Sequence, residues 1–488
     1  MKEIQMHEVA LLINDVRRAS ATGAVFERRN PLTGASVTRA AAATVADVDA
    51  ACRAADAAFS GWAETGPNVR RTYLLAASER LAAKADAFVE AMKAETGATE
   101  SWARFNVRLA ADMLREAAAL TTQVTGDTIP SDKPGCLAMA IRRPAGVCVG
   151  IAPWNAPVIL GARAIATALA CGNSVILKSS EICPLTHALI GEALTEAGFP
   201  AGVVNILSNA PEDAADIVNA LIDHPAVRRI NFTGSTRVGR LIAERAGRRL
   251  KPVLLELGGK APLLVLKDAD LDEAVKAAAF GAFFNQGQIC MSTERIIVEE
   301  SVADAFVERF AAKAASLIAG DPNAGTAPLG SVIGRETVST VTALMEDAIG
   351  KGARLVAGAA PEGLLIDAMV LDHVTADMRI YSEESFGPIV AIIRAKDMDD
   401  AVRIANDSDY GLSASVFSRD ISTAMSVAGR IDSGICHING PTVHDEAQMP
   451  FGGVKASGFG RFGGQAGIAE FTDLRWMTIE TRAGHYPI

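Results

Sequence analysis

Gly146-Val147-Cys148-Val149-Gly150-Ile151-Ala152-Pro153-Trp154-Asn155-Ala156-Pro157 reads as a β-strand that runs into a short turn and hands over to a helix. The apolar run 147–152 has the length of a buried strand. Pro157 opens an apolar run to residue 170, at the one place in a helix where a missing N–H costs little. Gly172-Asn173 then stops it. Moving outward, the pattern repeats, with strands at 174–177, 203–207, 228–232 and 252–255 and helices at 184–197, 211–222 and 236–246. Strands that alternate with helices predict a parallel sheet covered on both faces, an α/β fold whose ligands lie at the carboxyl ends of the strands.

Before this block, residues 44–122 are rich in alanine and helical in period, enough for three or four helices, and 137–141 is a short alternating piece that predicts a projecting hairpin. After it, Leu257-Gly258-Gly259-Lys260 leads into a second α/β series, with a strand at 262–266 and a helix from Leu271. The Gly- and aromatic-rich stretch 441–464 predicts an ordered loop, and 471–480 a terminal strand.

A chain of 488 residues has room for about three domains. Its net charge of −10 and the lack of a long basic run argue against a nucleic-acid partner. Residues 1–18 mix charged with apolar side chains, so neither a signal peptide nor a membrane span is expected. Seven cysteines, odd in number and without a C-x-x-C pair, point to a reducing cytoplasm and to neither a disulfide framework nor a metal site.

Several residues at strand ends carry chemistry. The amide of Asn155 can donate to a developing oxyanion. Lys178 and Glu181 are either a solvated pair or the holder of a ribose diol. Gly234-Ser235-Thr236-Arg237-Val238-Gly239 has the spacing G-x-x-x-x-G and misses the G-x-G-x-x-G fingerprint. It is a plain tight turn, or a phosphate site at a helix N-terminus. Glu256, between an apolar strand and two glycines, is placed for a buried general base. Cys290 lies on the connection Phe284-Asn285-Gln286-Gly287-Gln288-Ile289-Cys290-Met291-Ser292-Thr293-Glu294-Arg295, between a helical run and a β-branched run. A free thiol is only a few per cent ionised at neutral pH, so a nucleophilic role for Cys290 requires a neighbouring base or positive field.

Taken together, these segments closely resemble the NAD(P)-dependent aldehyde dehydrogenases, and the resemblance extends over essentially the whole chain. It implies a Rossmann-like NAD domain from residues 1–125 and 144–255, a catalytic α/β domain at 256–470, and a β-hairpin oligomerisation arm from 126–143 and 471–488. It implies Cys290 as nucleophile, Asn155 with the Cys290 N–H as oxyanion hole, and Glu256 as the base for water or thiol. It assigns NAD contacts to Pro153, Trp154, Lys178, Glu181, Gly234, Ser235, Gly239, Leu257, Glu384 and Phe386. Glu181 would repel a 2′-phosphate, which favours NAD over NADP. No metal is implied, and a homodimer or homotetramer is.

Within the family, the segments 153–160, 284–295 and 438–453 are most similar to members that oxidise aromatic aldehydes. The expected substrate is a hydroxybenzaldehyde such as vanillin, with salicylaldehyde or benzaldehyde as alternatives. A coenzyme A-acylating enzyme or a scaffold without activity are the more distant readings. Trp102, Phe105, Arg163 and Met291 are the candidate pocket residues. Apolar residues at the spacing of Trp102 and Phe105 more often belong to a core. Arg163 stands two turns into the helix after Asn155, facing either a ring oxygen or a salt-bridge partner.

Overall fold

The structure is a computed structural model that describes residues 6–484 and 486–488. Residues 1–5 and 485, which belong to the expected segments 1–125 and 471–488, lie outside the described residues.

The strands Val147–Ile151 and Ser174–Lys178 are buried at every residue, which is why they read as continuous apolar runs. They sit at the centre of an eight-stranded sheet, flanked by Val227–Thr233 and Val253–Glu256 on one side and Val204–Leu207 on the other. These five are mutually parallel. Val147, Val149, Ile151 and Ile176 point into one core, with the helices Val45–Glu64, Ala214–Asp223 and Thr236–Arg248. Cys148, Val175 and Leu177 point into the opposite core, with Pro67–Ala83, Glu100–Leu120, Pro157–Ala170 and Pro184–Glu196. The expected helix at 211–222 is divided: a 3₁₀ turn Pro211–Asp213 precedes Ala214–Asp223.

Three strands from distant parts of the sequence complete the sheet, with Val16–Arg18 at one edge, antiparallel to Leu11–Ile13. Leu11–Ile13 pairs with Val204–Leu207, and Gly458–Phe459, from the Gly-rich loop, pairs with Val253–Glu256. Gly458 has φ +106°, and a Cβ there would lie 2.1 Å from the Leu255 carbonyl oxygen, so this edge contact requires glycine.

The second sheet has seven strands, in the order Arg354–Ala357, Met369–Asp372, Ile389–Ala395, Thr293–Glu299, Ala261–Val265, Ser413–Phe417 and Ile435–Ile438, and only the first is antiparallel to its neighbour. The expected hairpin is part of a larger unit: Cys136–Pro144 is the middle strand of a three-stranded antiparallel sheet, between Asp127–Ile129 and Thr472–Glu480. Among the described residues, no helix is long and apolar enough to cross a membrane.

Glu256 is the last residue of its strand, and residues 257–260 lead directly into Ala261–Val265. Cys290 precedes Thr293–Glu299, whose first residue is paired with Ala261. The carboxyl end of the first sheet therefore meets the amino end of the second at Glu256 and Cys290.

Candidate active site

Register alone gathers most of the motifs. Ile151 is opposite Lys178, Phe232 opposite Ile151, and Thr233 opposite Glu256, so the segments that follow these strands emerge along one edge of the sheet. That edge borders a cleft of about 1030 Å³ lined by Pro153, Trp154, Lys178, Glu181, Gly234 and Ser235. Lys178 is buried and ion-paired to Glu181, whose carboxylate also accepts from Asn209 Nδ2 at 2.9 Å. Lys178 and Glu181 thus form a pair held in place at the cleft wall. Ser235 caps the helix Thr236–Arg248, accepting from the Val238 N–H at 3.4 Å. Gly239 lies against Leu257, where a Cβ would come within 2.5 Å of the leucine Cδ2.

Further along, Glu384 accepts from the Gly259 N–H at 2.8 Å, and Phe386 meets Trp154 edge to face with ring centroids 5.9 Å apart. Burial pushes the Glu384 carboxyl up to about 8. A network that the motifs did not announce fixes this corner. Lys260 and Glu294, both buried, are paired at 2.7 Å. Glu294 also accepts from Ser385 Oγ at 2.8 Å and from the N–H groups of Ser385 and Phe386 at 3.0 and 3.1 Å. The turn carrying Glu384 and Phe386 is thereby bolted to the strand that follows Cys290. Lys260 and Glu294 each stand within four residues of a motif residue; that proximity was the available signal.

The loop bearing Cys290 is unusual in its backbone. Asn285, Gln286 and Gly287 are consecutive left-handed residues, at φ 50°, 57° and 70°. Two non-glycine residues in that region cost free energy unless their surroundings hold them. Here the side chains do so. Gln286 bonds both ways to the segment 330–331, accepting from the Gly330 N–H and donating to the Ser331 carbonyl, each at 2.9 Å. Gln288 accepts from the Ile333 N–H at 2.9 Å. Asn285 Nδ2 donates to the Asn155 carbonyl at 3.0 Å, and Trp102 Nε1 donates to the same oxygen at 2.9 Å. The amide of Asn155 donates one hydrogen to the Gln288 carbonyl at 3.0 Å. An amide carries two, so one remains for another acceptor. Asn155 and the Cys290 loop are thus tied together from both sides.

Glu256 is fully buried, and neither carboxyl oxygen has a well-formed hydrogen-bond partner; the Cys290 thiol stands beside it. Burial pushes the carboxyl up to about 7. Burial, and then the adjacent Glu256, pushes the Cys290 thiol well above its ordinary value. The resting pair is a neutral thiol beside a carboxyl poised to exchange a proton near neutrality. Gly259 permits this proximity, since a Cβ there would lie 2.4 Å from the Cys290 carbonyl oxygen.

Beside the thiol, Met291 is buried and Trp102, Phe105 and Phe284 form an aromatic group. Phe284 meets Trp102 edge-on at 4.9 Å and Phe105 at 6.1 Å. Phe284 was not singled out from the sequence; its position six residues before Cys290 was the only hint. Phe105 borders a groove of about 430 Å³ that Leu109, Asp445 and Ala447 also line. Arg163 is buried, ion-paired to Asp445 and stacked on Phe451, its guanidinium carbon 4.1 Å from the ring centroid. The guanidinium is therefore engaged by its own chain, and its charge still reaches Cys290 and Glu256.

A model described as the aldehyde dehydrogenase family matches residues 18–477. The chain is 59% identical over 483 residues to a vanillin dehydrogenase of Pseudomonas fluorescens, with 99% of this chain and 100% of the relative covered. It is 51% identical over 478 residues to a salicylaldehyde dehydrogenase of Pseudomonas putida, covering 98% and 99% of the two chains. The crystal structure of a salicylaldehyde dehydrogenase from Pseudomonas putida G7, complexed with salicylaldehyde, superposes with a TM-score of 0.97 at 49% identity, covering 99% of this chain and 100% of that one.

Proposed function

The chain belongs to the aldehyde dehydrogenase family, and from that premise we propose that it oxidises an aromatic aldehyde, vanillin or a related hydroxybenzaldehyde, to the carboxylic acid with NAD as the oxidant. The observation that carries the chemistry is the half-buried thiol of Cys290 against the buried carboxyl of Glu256, beside the tethered amide of Asn155. The substrate class rests on the 59% identity to a vanillin dehydrogenase and on the aromatic group Trp102, Phe105 and Phe284.

The cofactor fits the first cleft. Gly234 and Gly239 leave no side chain between the turn and its neighbours, and Ser235 opens a helix whose N-terminal field suits phosphate. Pro153 and Trp154 wall the cleft, Leu257 packs against Gly239 of the turn, and Lys178 with Glu181 would hold the adenosine ribose. Glu181 at that position disfavours a 2′-phosphate, the basis for NAD over NADP. Glu384 would hold the second ribose and Phe386 would flank the nicotinamide ring. When bound, the oxidised nicotinamide supplies the acceptor for the aldehyde hydride.

The chain's own residues supply the rest. The Cys290 thiol gives up its proton to solvent, and the thiolate adds to the aldehyde carbon to give a thiohemiacetal. The free hydrogen of Asn155 Nδ2 and the Cys290 N–H receive its oxyanion. Hydride loss leaves a thioester on Cys290. Glu256 then draws a proton from water, the water attacks the thioester carbon, and the acid departs as the thiol reforms. A base for water beside the thioester favours hydrolysis over transfer to coenzyme A. Trp102, Phe105 and Met291 bound the ring; a flat ring against aromatic side chains gains about 0.5–1.5 kcal/mol beyond its burial. Arg163 would act near the ring through its ion pair with Asp445.

By this reading, residues 1–125 and 144–255 serve the cofactor, 256–470 the chemistry, and the sheet of 126–143 and 471–488 the contact between two or four copies. Seven free cysteines suit a reducing compartment, and we place the enzyme in the cytoplasm. The test is an aldehyde panel followed by NADH absorbance, without coenzyme A. Vanillin should exceed acetaldehyde in kcat/KM by well over tenfold, the gain expected from burying a whole ring; equal efficiencies would overturn the aromatic assignment.

A further inference from the structure

Asp445 borders the groove with a carboxylate that its own chain satisfies only in part. Its side chain is 8% exposed. One carboxylate oxygen, Oδ2, is taken by Arg163, while Oδ1 is buried with no hydrogen-bond partner. A buried carboxylate oxygen without a donor is costly, and native proteins keep one chiefly where a ligand or water completes it. Arg163 is itself fixed by stacking on Phe451, so the ion pair presents Asp445 in a set orientation. Asp445 borders the same groove as Phe105, the outer member of the aromatic group that reaches Trp102 and, through its indole N–H, Asn155. It is also near enough to Glu256 for its charge to be felt there. Asp445 thus borders the groove that begins at the aromatic group, with one carboxylate oxygen unpartnered.

We propose that Asp445 is a specificity-determining residue, whose Oδ1 accepts a hydrogen bond from the ring hydroxyl of a hydroxybenzaldehyde while Arg163 positions it. The inference rests on the aromatic-aldehyde reading given above. A carboxylate accepts from a phenol and offers nothing to a ring that carries hydrogen, fluorine or an ether at that place. Arg163, with its charge already matched, orients the acceptor and does not need to touch the ring.

The purified full-length enzyme is assayed with the 2-, 3- and 4-hydroxybenzaldehydes and with the corresponding fluorobenzaldehydes, which match them in size and donate nothing. The quantity read is the hydroxy-to-fluoro ratio of kcat/KM for the best isomer, in wild type and in Asp445→Ala. The ratio should fall by at least about tenfold, the weight of one charge-assisted hydrogen bond; a smaller fall overturns the proposal. Asp445→Ala leaves Arg163 buried and unpaired, which endangers folding. The double variant Arg163→Met/Asp445→Leu removes both charges together and must show the same fall. If wild type oxidises none of these aromatic aldehydes yet oxidises acetaldehyde, the aromatic reading itself has failed, and the proposal with it.

Discussion

Cys290 and Glu256 are each unsuited to their task alone. The thiol is held neutral by burial, and the carboxyl has lost the solvent that would ionise it. At rest the thiol keeps its proton, and the carboxyl, at about 7, is the group that gains or loses one near neutral pH. Cys290→Ala should abolish turnover in an aldehyde assay and leave NAD binding by fluorescence titration largely intact, because the nucleophile does not hold the cofactor. Glu256→Gln should separate the two half-reactions. Stopped flow should show a burst of about one NADH per site followed by slow turnover, the mark of an accumulating thioester. Loss of the burst as well would assign Glu256 to activating the thiol. The same carboxyl also sets a pH signature for stability. Its folded value, about 7, is above the ordinary carboxylate value, so the folded state holds an extra proton between the two. Stability from this group is full at low pH and is lost as pH rises through about 7. Glu256→Gln removes that loss. Its Tm relative to wild type should therefore rise between pH 5 and pH 8, and an unchanged difference would mean that Glu256 ionises normally.

At the scale of elements, the connection Phe284–Gly287 shows where sequence reading runs out. The strands and helices of the first sheet were legible because each has a single period and a clear stop, such as Pro157 at a helix start or Gly172-Asn173 at its end. Each motif falls at the end of a strand, so the same reading located Asn155, Glu181 and Glu256. The left-handed backbone at Asn285 and Gln286 carries no such mark, since neither residue is glycine. It exists because Gln286 reaches the segment 330–331, some 45 residues on. The edge strand Gly458–Phe459, the Lys260–Glu294 pair and the Asp445 partner of Arg163 were hidden for the same reason: each depends on a contact across the fold and on no local pattern. Gln286→Ala should leave the Gly330 N–H and the Ser331 carbonyl buried without partners, at a cost of about 1–3 kcal/mol each. The predicted result is a lower Tm and a slower NADH burst, with cofactor affinity retained, because the loop positions Cys290 and does not line the cofactor cleft. An unaltered burst rate would show that the loop keeps its shape without this anchor.

The whole molecule presents one surface that a lone chain leaves unexplained. Thr472–Glu480 is an edge strand of the three-stranded sheet, so one row of its N–H and C=O groups is free to pair. Leu474 and Trp476, two residues apart and hence on one face, are 60% and 74% exposed. Long, apolar, unprotected edges invite pairing with another chain, and a soluble protein retains one mainly where a partner covers it. A second copy is the occupant that the proposed assembly supplies. Asn155, Glu256 and Cys290, by contrast, are brought together within one chain, so assembly should be needed for stability more than for chemistry. Trp476→Glu places a charge in the centre of the contact, where it would be desolvated without a partner. Light scattering on the eluting peak should give wild type a mass of two or four times 50.9 kDa and the variant a smaller multiple, with oxidation per chain persisting at temperatures where the variant remains folded. A variant of unchanged mass would remove this face from the assembly. A smaller species that folds but has lost all turnover would show that the neighbouring copy completes the site.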